Sequence, residues 1–158
     1  MAKFQFGETI NDENRITARI ADGVQSNHLN DNDVGKFVKL VGDSQYGLCA
    51  VGNEIEAVLD SGPNSPLQDG YYLGGVFTEG RVKVVLDGLQ GTPGTGVIAI
   101  GDYVVAGTPV VRNTALTEAG PRVCKATAAG NTLNFKWRVV ALLGTGAVGQ
   151  TAIIESLT

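Results

Sequence analysis

The chain has 158 residues, of which 43% are apolar, 18% charged and 22 glycine, with a formal net charge of −4. That length suits one domain with a core of its own, so neither a metal nor a disulfide is needed to hold it. The 12 Lys and Arg are spread thinly along an acidic chain. This excludes binding to nucleic acid by phosphate neutralisation, and the longest apolar runs fall short of the ~20 residues of a membrane span.

The N-terminus lacks the apolar stretch of a signal peptide, so a soluble protein made in the cytoplasm is expected. A charged fraction below the ~25% usual for soluble domains suggests a surface partly covered by copies of the chain or by a partner. Cys49 and Cys124 lie 75 positions apart without a C-x-x-C spacing, which predicts two buried, reduced thiols.

Residues 1–35 are read as a polar N-terminal arm, with a β-domain over 36–158. From Gly7 to Gly35 the chain is rich in Asn and Asp and carries only scattered bulky apolar residues. Ile16 and Ile20 could share a face of a short helix, but Asp22-Gly23 ends it. Phe4 and Phe6 are the only aromatic residues before Phe37, and aromatic anchors in a polar strip suit an interface. Phe4, Phe6, Ile16 and Ile20 are therefore the candidate contact residues. Deletion of residues 1–30 is expected to leave a folded domain.

His28, the one histidine, lies within this arm and has no nucleophile near it in sequence. Asp31-Asn32-Asp33-Val34-Gly35 begins like a calcium loop. Gly35 then stands where a ligand is needed, and Gly42 where the bidentate Glu belongs.

From Lys36 onward the pattern has period two, the signature of strands with one buried face. In Glu54–Leu59, Ile55, Ala57 and Leu59 alternate with two glutamates, which are expected to face solvent. In Arg81–Leu86, Val82, Val84 and Leu86 alternate with Arg81 and Lys83. In Asn134–Val139, Phe135, Trp137 and Val139 point inward. Further strands are predicted at 36–41, 47–51, 71–78, 97–100, 103–105, 109–111, 123–126 and 150–155. Asp69-Gly70 and Asp87-Gly88 read as turns, and Gly52-Asn53 and Gly80 flank strands. No stretch of ten residues keeps a helical period. The fold class is all-β, a small antiparallel barrel or sandwich with an extended polar N-terminal arm.

Motifs of enzyme type fail on local grounds. Gly42-Asp43-Ser44-Gln45-Tyr46-Gly47 resembles a nucleophile elbow, but Tyr46 occupies a position that requires glycine and no helix follows. Gly91–Gly96 lacks the Gly-Lys-Ser/Thr of a phosphate loop, and Pro93 removes a donor N–H. It reads instead as a loop that orders against a neighbouring subunit. Zinc ligands number three in all and are scattered.

Gly144-Thr145-Gly146-Ala147-Val148-Gly149 spells a dinucleotide fingerprint directly after a strand. Only nine residues follow it, too few for the helix, second strand and acidic ribose ligand that the motif serves. It is read as a flexible hairpin connection. No catalytic residue, cofactor or metal is assigned.

The order of pieces after residue 35 resembles the head decoration (capsid cement) proteins of tailed bacteriophages. Gly35–Leu40, Tyr46–Ala50, Glu54–Val58, Val82–Gly88, Ile100–Val105 and the closing Gly144-to-Glu155 stretch carry the likeness. It implies a β-barrel-like structural protein of the virion exterior, assembled in the host cytoplasm. Such a protein would sit as a homotrimer clamping adjacent major capsid protein subunits, with no contact to nucleic acid or membrane. Three other readings share the composition: a tail or spike component, a carbohydrate-binding domain using Trp137 and Tyr103, and a trimeric β-sheet nucleotide pyrophosphatase. The last is disfavoured because its closing glycine-rich motif and water-activating Asp are missing.

Overall fold

The computed structural model describes residues 15–20, 29, 33–42, 45–61, 73–109, 120–127 and 137–157, with the backbone alone for 15–19. Strands and their turns account for nearly all of them. Among the described residues there is no α-helix, hence none long and apolar enough to cross a membrane. The protein is all-β.

Five strands close into a ring in the order β1-β3-β2-β4-β5: β1 (Arg15–Ile20), β2 (Phe37–Gly42), β3 (Gln45–Leu48), β4 (Ala57–Ser61) and β5 (Leu73–Phe77). β1 makes the closure. It runs antiparallel to β5, Arg15 opposite Phe77 and Arg19 opposite Leu73, and parallel to β3 through Arg19–Gln45 and Ile20–Tyr46. Closure removes the unpaired edges that an open sheet of this size would expose.

This moves the expected boundary. Residues 15–20 are part of the barrel wall, and Ile20, proposed as a contact residue, is fully buried. Its side chain packs in one cluster with Val38, Tyr46 and Val76 of the neighbouring ring strands, because alternate residues of a strand fall on the same face.

The second sheet runs β10-β11-β6-β9-β8: β6 (Arg81–Leu89), β8 (Val104–Ala106), β9 (Arg122–Lys125), β10 (Trp137–Leu142) and β11 (Thr151–Ser156). The two-residue β7 (Thr92–Pro93) folds back on the end of β6. Most pairings are antiparallel, but β6·β9 is parallel, like β1·β3. The sheet curls until its ends meet, through an antiparallel bridge between Tyr103 and Arg138. The loop at 49–53 ties the two sheets together. Gly52 donates its N–H to the Ala106 carbonyl at 2.8 Å, and Ala106 returns one to Asn53 at 2.9 Å.

The period-two pattern explains two cores rather than one. Ile20, Leu29, Val38, Tyr46, Ala57, Leu59 and Val76 form one cluster, with a residue from every ring strand, as the inside of a closed ring requires. Phe37, Val58 and Phe77, the alternate residues on the same strands, pack instead with Val82, Val84, Leu86, Trp137, Val139 and Ile154 of the second sheet. The β4 segment was expected to be half-buried, yet Ala57, Val58 and Leu59 are all fully buried because each face of β4 meets its own core. Burial of a side chain such as Val58 or Leu59 stabilises the fold by roughly 1.5–3 kcal/mol.

One turn and one strand assignment change. Asp87-Gly88 lies inside β6, where Gly88 adopts φ +86° and the pairing to β9 slips between Leu86 and Leu89. A Cβ at Gly88 would collide with the Thr95 carbonyl, so this is a glycine bulge rather than a hairpin turn. Residues 97–100, expected as a strand, form a loop with Val97 and Ile100 exposed. Asp69-Gly70, Phe135 and Val110-Val111 lie outside the described residues.

Candidate functional site

The buried polar centre of the molecule is Asp87. It is the one charged or polar residue among the described ones that the core encloses. Thr108 donates to Asp87 Oδ2 twice, from its N–H at 2.7 Å and its hydroxyl at 2.6 Å. The Arg122 guanidinium stands 3.8 Å from Oδ1, and the Cys124 thiol lies 3.9 Å from Oδ2. A carboxylate so enclosed is held by charge-assisted bonds that repay part of its desolvation. Burial first, then the Asp87 charge and the bond to it, push the Cys124 thiol up to about 12. Asp87 therefore locks β6 to the start of the 108–109 segment and to β9, and the neighbouring sulfur stays protonated.

Beside this cluster a small cleft, open to solvent, lies between the ring (Lys36, Phe37, Leu48, Cys49) and the second sheet (Ala106, Thr108, Pro121, Arg122). Its polar groups already have partners within the chain. Lys36 Nζ bonds Asp33 Oδ1 at 2.7 Å, and the Thr108 hydroxyl and Arg122 turn to Asp87. Burial raises the Cys49 thiol to about 12, with Lys39 opposing and Glu56 adding to the shift. A thiol that keeps its proton at neutral pH is a poor nucleophile. Both cysteines are free and buried, and the cleft offers an apolar wall rather than reactive groups.

The remaining motifs resolve into backbone structure. In the Gly91–Gly96 loop, Gly94 gives its N–H to the Asp87 carbonyl at 2.7 Å and Thr95 gives its own to Thr92 at 3.2 Å. Those donors are spent on the turn instead of on a phosphate. The Gly144–Gly149 stretch joins β10 to β11 as expected, but it is pinned rather than loose. Gly146 accepts from Ile98 at 3.0 Å, Gly149 donates to Leu86 at 2.8 Å, and Ala147 bridges Val97. Gly146, at φ +83°, has no room for a Cβ beneath the Ile98 carbonyl.

Glu54 and Glu56 are half-buried instead of solvent-facing, and Glu56 Oε2 accepts the Leu40 N–H at 2.6 Å. Asp33 ends in a tight turn bonded to Lys36. Among the described residues no three His, Cys, Asp or Glu side chains gather as metal ligands would. Trp137 is buried at 0% exposure while Tyr103 is 46% exposed, so the two form no joint aromatic platform.

Of the sequence-derived contact residues, Phe4 and Phe6 lie outside the described residues, as does His28. Ile16 is placed only by its backbone, opposite Val76. Ile20 is core. A surface feature that the sequence reading passed over lies elsewhere.

Residues 88–101 and 139–154 contain no charged side chain, and the bond from Ile98 to Gly146 and the bridge between Val97 and Ala147 bring these runs together. They leave Val97, Ile100, Leu143 and Val148 exposed, and Tyr103 beside them. A second exposed apolar group, Leu40, Val41, Leu48 and Val51, belongs to β2, β3 and the loop after them. Listing the charges along the chain would have revealed the first group; the second needed the register of β2 and β3. Compared with family models, curated proteins and solved structures, the chain matches none.

Proposed function

We propose that the protein is a structural component of a phage virion that decorates and stabilises the outer surface of the icosahedral capsid. In this reading it acts as a trimer that clamps adjacent major capsid protein subunits. The observation that carries it is the presence of two exposed apolar groups, one on the ring and one on the second sheet, in a molecule with few charges. A decorating protein needs two kinds of contact, to its own copies and to the shell, and contiguous exposed apolar side chains mark such surfaces. The engagement of Asp87, Thr108, Lys36 and the loop N–H groups in internal bonds agrees with a binding role rather than a catalytic one.

Phe4 and Phe6 remain candidates for the shell contact, carried by the segment that precedes β1. Attachment at many equivalent positions would multiply a weak single contact by avidity.

Co-sedimentation with expanded, empty shells of the phage that encodes the chain tests the proposal directly. The full chain should pellet with shells and raise their resistance to heat. A chain lacking residues 1–14, which keeps every described strand, should remain folded and pellet less. Shells that leave the full chain in the supernatant at saturating protein would refute the reading. Equal pelleting by the shortened chain would remove Phe4 and Phe6 from it.

A further inference from the structure

The charge-free face has a property that singles out its occupant. At the axis of a closed homo-oligomer each side chain meets its own copy, so any charged residue there faces a like charge. A surface that serves such an axis must be apolar or neutral, whereas a surface for an unrelated partner gains from complementary charges. Here fourteen consecutive residues, 88–101, and sixteen, 139–154, are without charge. The fold brings both runs to one place by the Val97–Ala147 bridge and the bond from Ile98 to Gly146.

Asp102, next in the chain, is half-buried and paired within the chain. Its carboxylate accepts the Ala99 N–H at 2.8 Å and pairs with Lys125 at 2.9 Å. Arg138 stands at the rim beside Tyr103. Eleven exposed positions between 91 and 103 and five between 143 and 149 lie on these runs or at their edge, approaching the ~20–30 residues a side of a stable interface. Its loops are already shaped by internal hydrogen bonds, so little ordering opposes association.

We infer that this face, centred on Val97, Ile100 and Val148, is where copies of the chain pack around a common symmetry axis. The inference rests on the homo-oligomer of the proposed function and locates its self-contact; shell binding is not part of it.

Sedimentation velocity of the full chain and of Ile100→Glu and Val148→Glu tests it, with Val51→Glu, on the other apolar group, as control. All three replaced side chains are exposed, and circular dichroism melts establish that each variant is folded. The full chain and Val51→Glu should sediment as one oligomer. Each of the two face variants should shift toward monomer, with association weakened about tenfold or more by the like charges it brings together.

A folded Ile100→Glu that stays oligomeric, or a Val51→Glu that dissociates equally, would overturn the assignment of the face. A full chain that is monomeric at high concentration would overturn it as well. Parallel shell pelleting separates the two readings. A monomer that pellets with shells keeps decoration and removes this axis, whereas an oligomer that dissociates as stated and ignores shells keeps the axis and removes decoration.

Discussion

Thr108 gives both its backbone N–H and its hydroxyl to one carboxylate oxygen of Asp87, at 2.7 and 2.6 Å. This doubled contact lies at the joint between the second sheet and the cleft, with Arg122 on the other oxygen at 3.8 Å. Removal of the carboxylate takes the acceptor from both Thr108 donors and the negative charge from beside the Arg122 guanidinium. Asp87→Ala should therefore destabilise by about 2–4 kcal/mol in urea denaturation. Asp87→Asn keeps an oxygen for Thr108 and should cost about half of that. An Asp87→Ala variant as stable as the parent would show that the cluster is incidental to the fold.

Gly88 and Gly94 share a left-handed backbone, at φ +86° and +85°, but differ in surroundings. A Cβ at Gly94 has nothing within 4 Å, while one at Gly88 runs into Thr95. Gly94→Ala should lose about 1 kcal/mol for the backbone conformation alone. Gly88→Ala should lose roughly 3 kcal/mol or more, since the bulge must also open. Paired thermal melts read the difference, and equal losses would place the strain in the backbone and not in the contact.

Trp137, the chain's one tryptophan, is fully buried, and its indole N–H has no acceptor among the described residues. Its fluorescence should be blue-shifted in the native state and move to the red on unfolding. Trp137→Phe removes an unsatisfied donor as it removes volume, and the opposing effects should leave stability within about 1 kcal/mol. Trp137→Ala, with no such compensation, should cost about 3–5 kcal/mol.

Burial keeps both thiols protonated well above the ordinary 9.0, to about 12. Unfolded thiols ionise first as pH rises, so between about 9 and 12 the native state holds more protons than the unfolded one. Their contribution is complete below pH 9 and is lost as pH climbs through 12. Tyr46, raised by burial and then by Glu56, acts in the same direction above its ordinary 10.0. A Cys49→Ala/Cys124→Ala chain should show a shallower fall in stability over this window, measured by urea midpoints from pH 8 to 11. An unchanged slope would show that other groups govern alkaline unfolding.

Removal of residues 1–30 takes away β1, the strand that joins β3 to β5, together with Ile20 and Leu29 of the ring core. That chain should lose cooperative melting, whereas removal of residues 1–14 should leave the midpoint nearly unchanged. A stable product of the longer deletion would mean that the ring can close without β1.

Alternation in Arg81–Val84 and in Trp137–Val139 was legible in the sequence because period two follows from strand geometry wherever it occurs. So was the place of Gly144–Gly149 as a connection between two strands, since Trp137 and Val139 alternate before it and Ala152 and Ile154 after it. The absence of charge from 88–101 and 139–154 was equally written there, although nothing local says that the two runs touch. Three features depended on the tertiary structure. Val58 reads as an outward residue between Ala57 and Leu59 until a second sheet covers that side of β4. Asp87-Gly88 has the residues of a turn, and only pairing with β9 and the Thr95 carbonyl makes it a bulge with a buried acid. Residues 15–20 are too polar to announce a strand, and they become one because both edges of the ring need a partner. A sequence determines the local period; which core each face meets is decided by contacts between residues far apart in the chain.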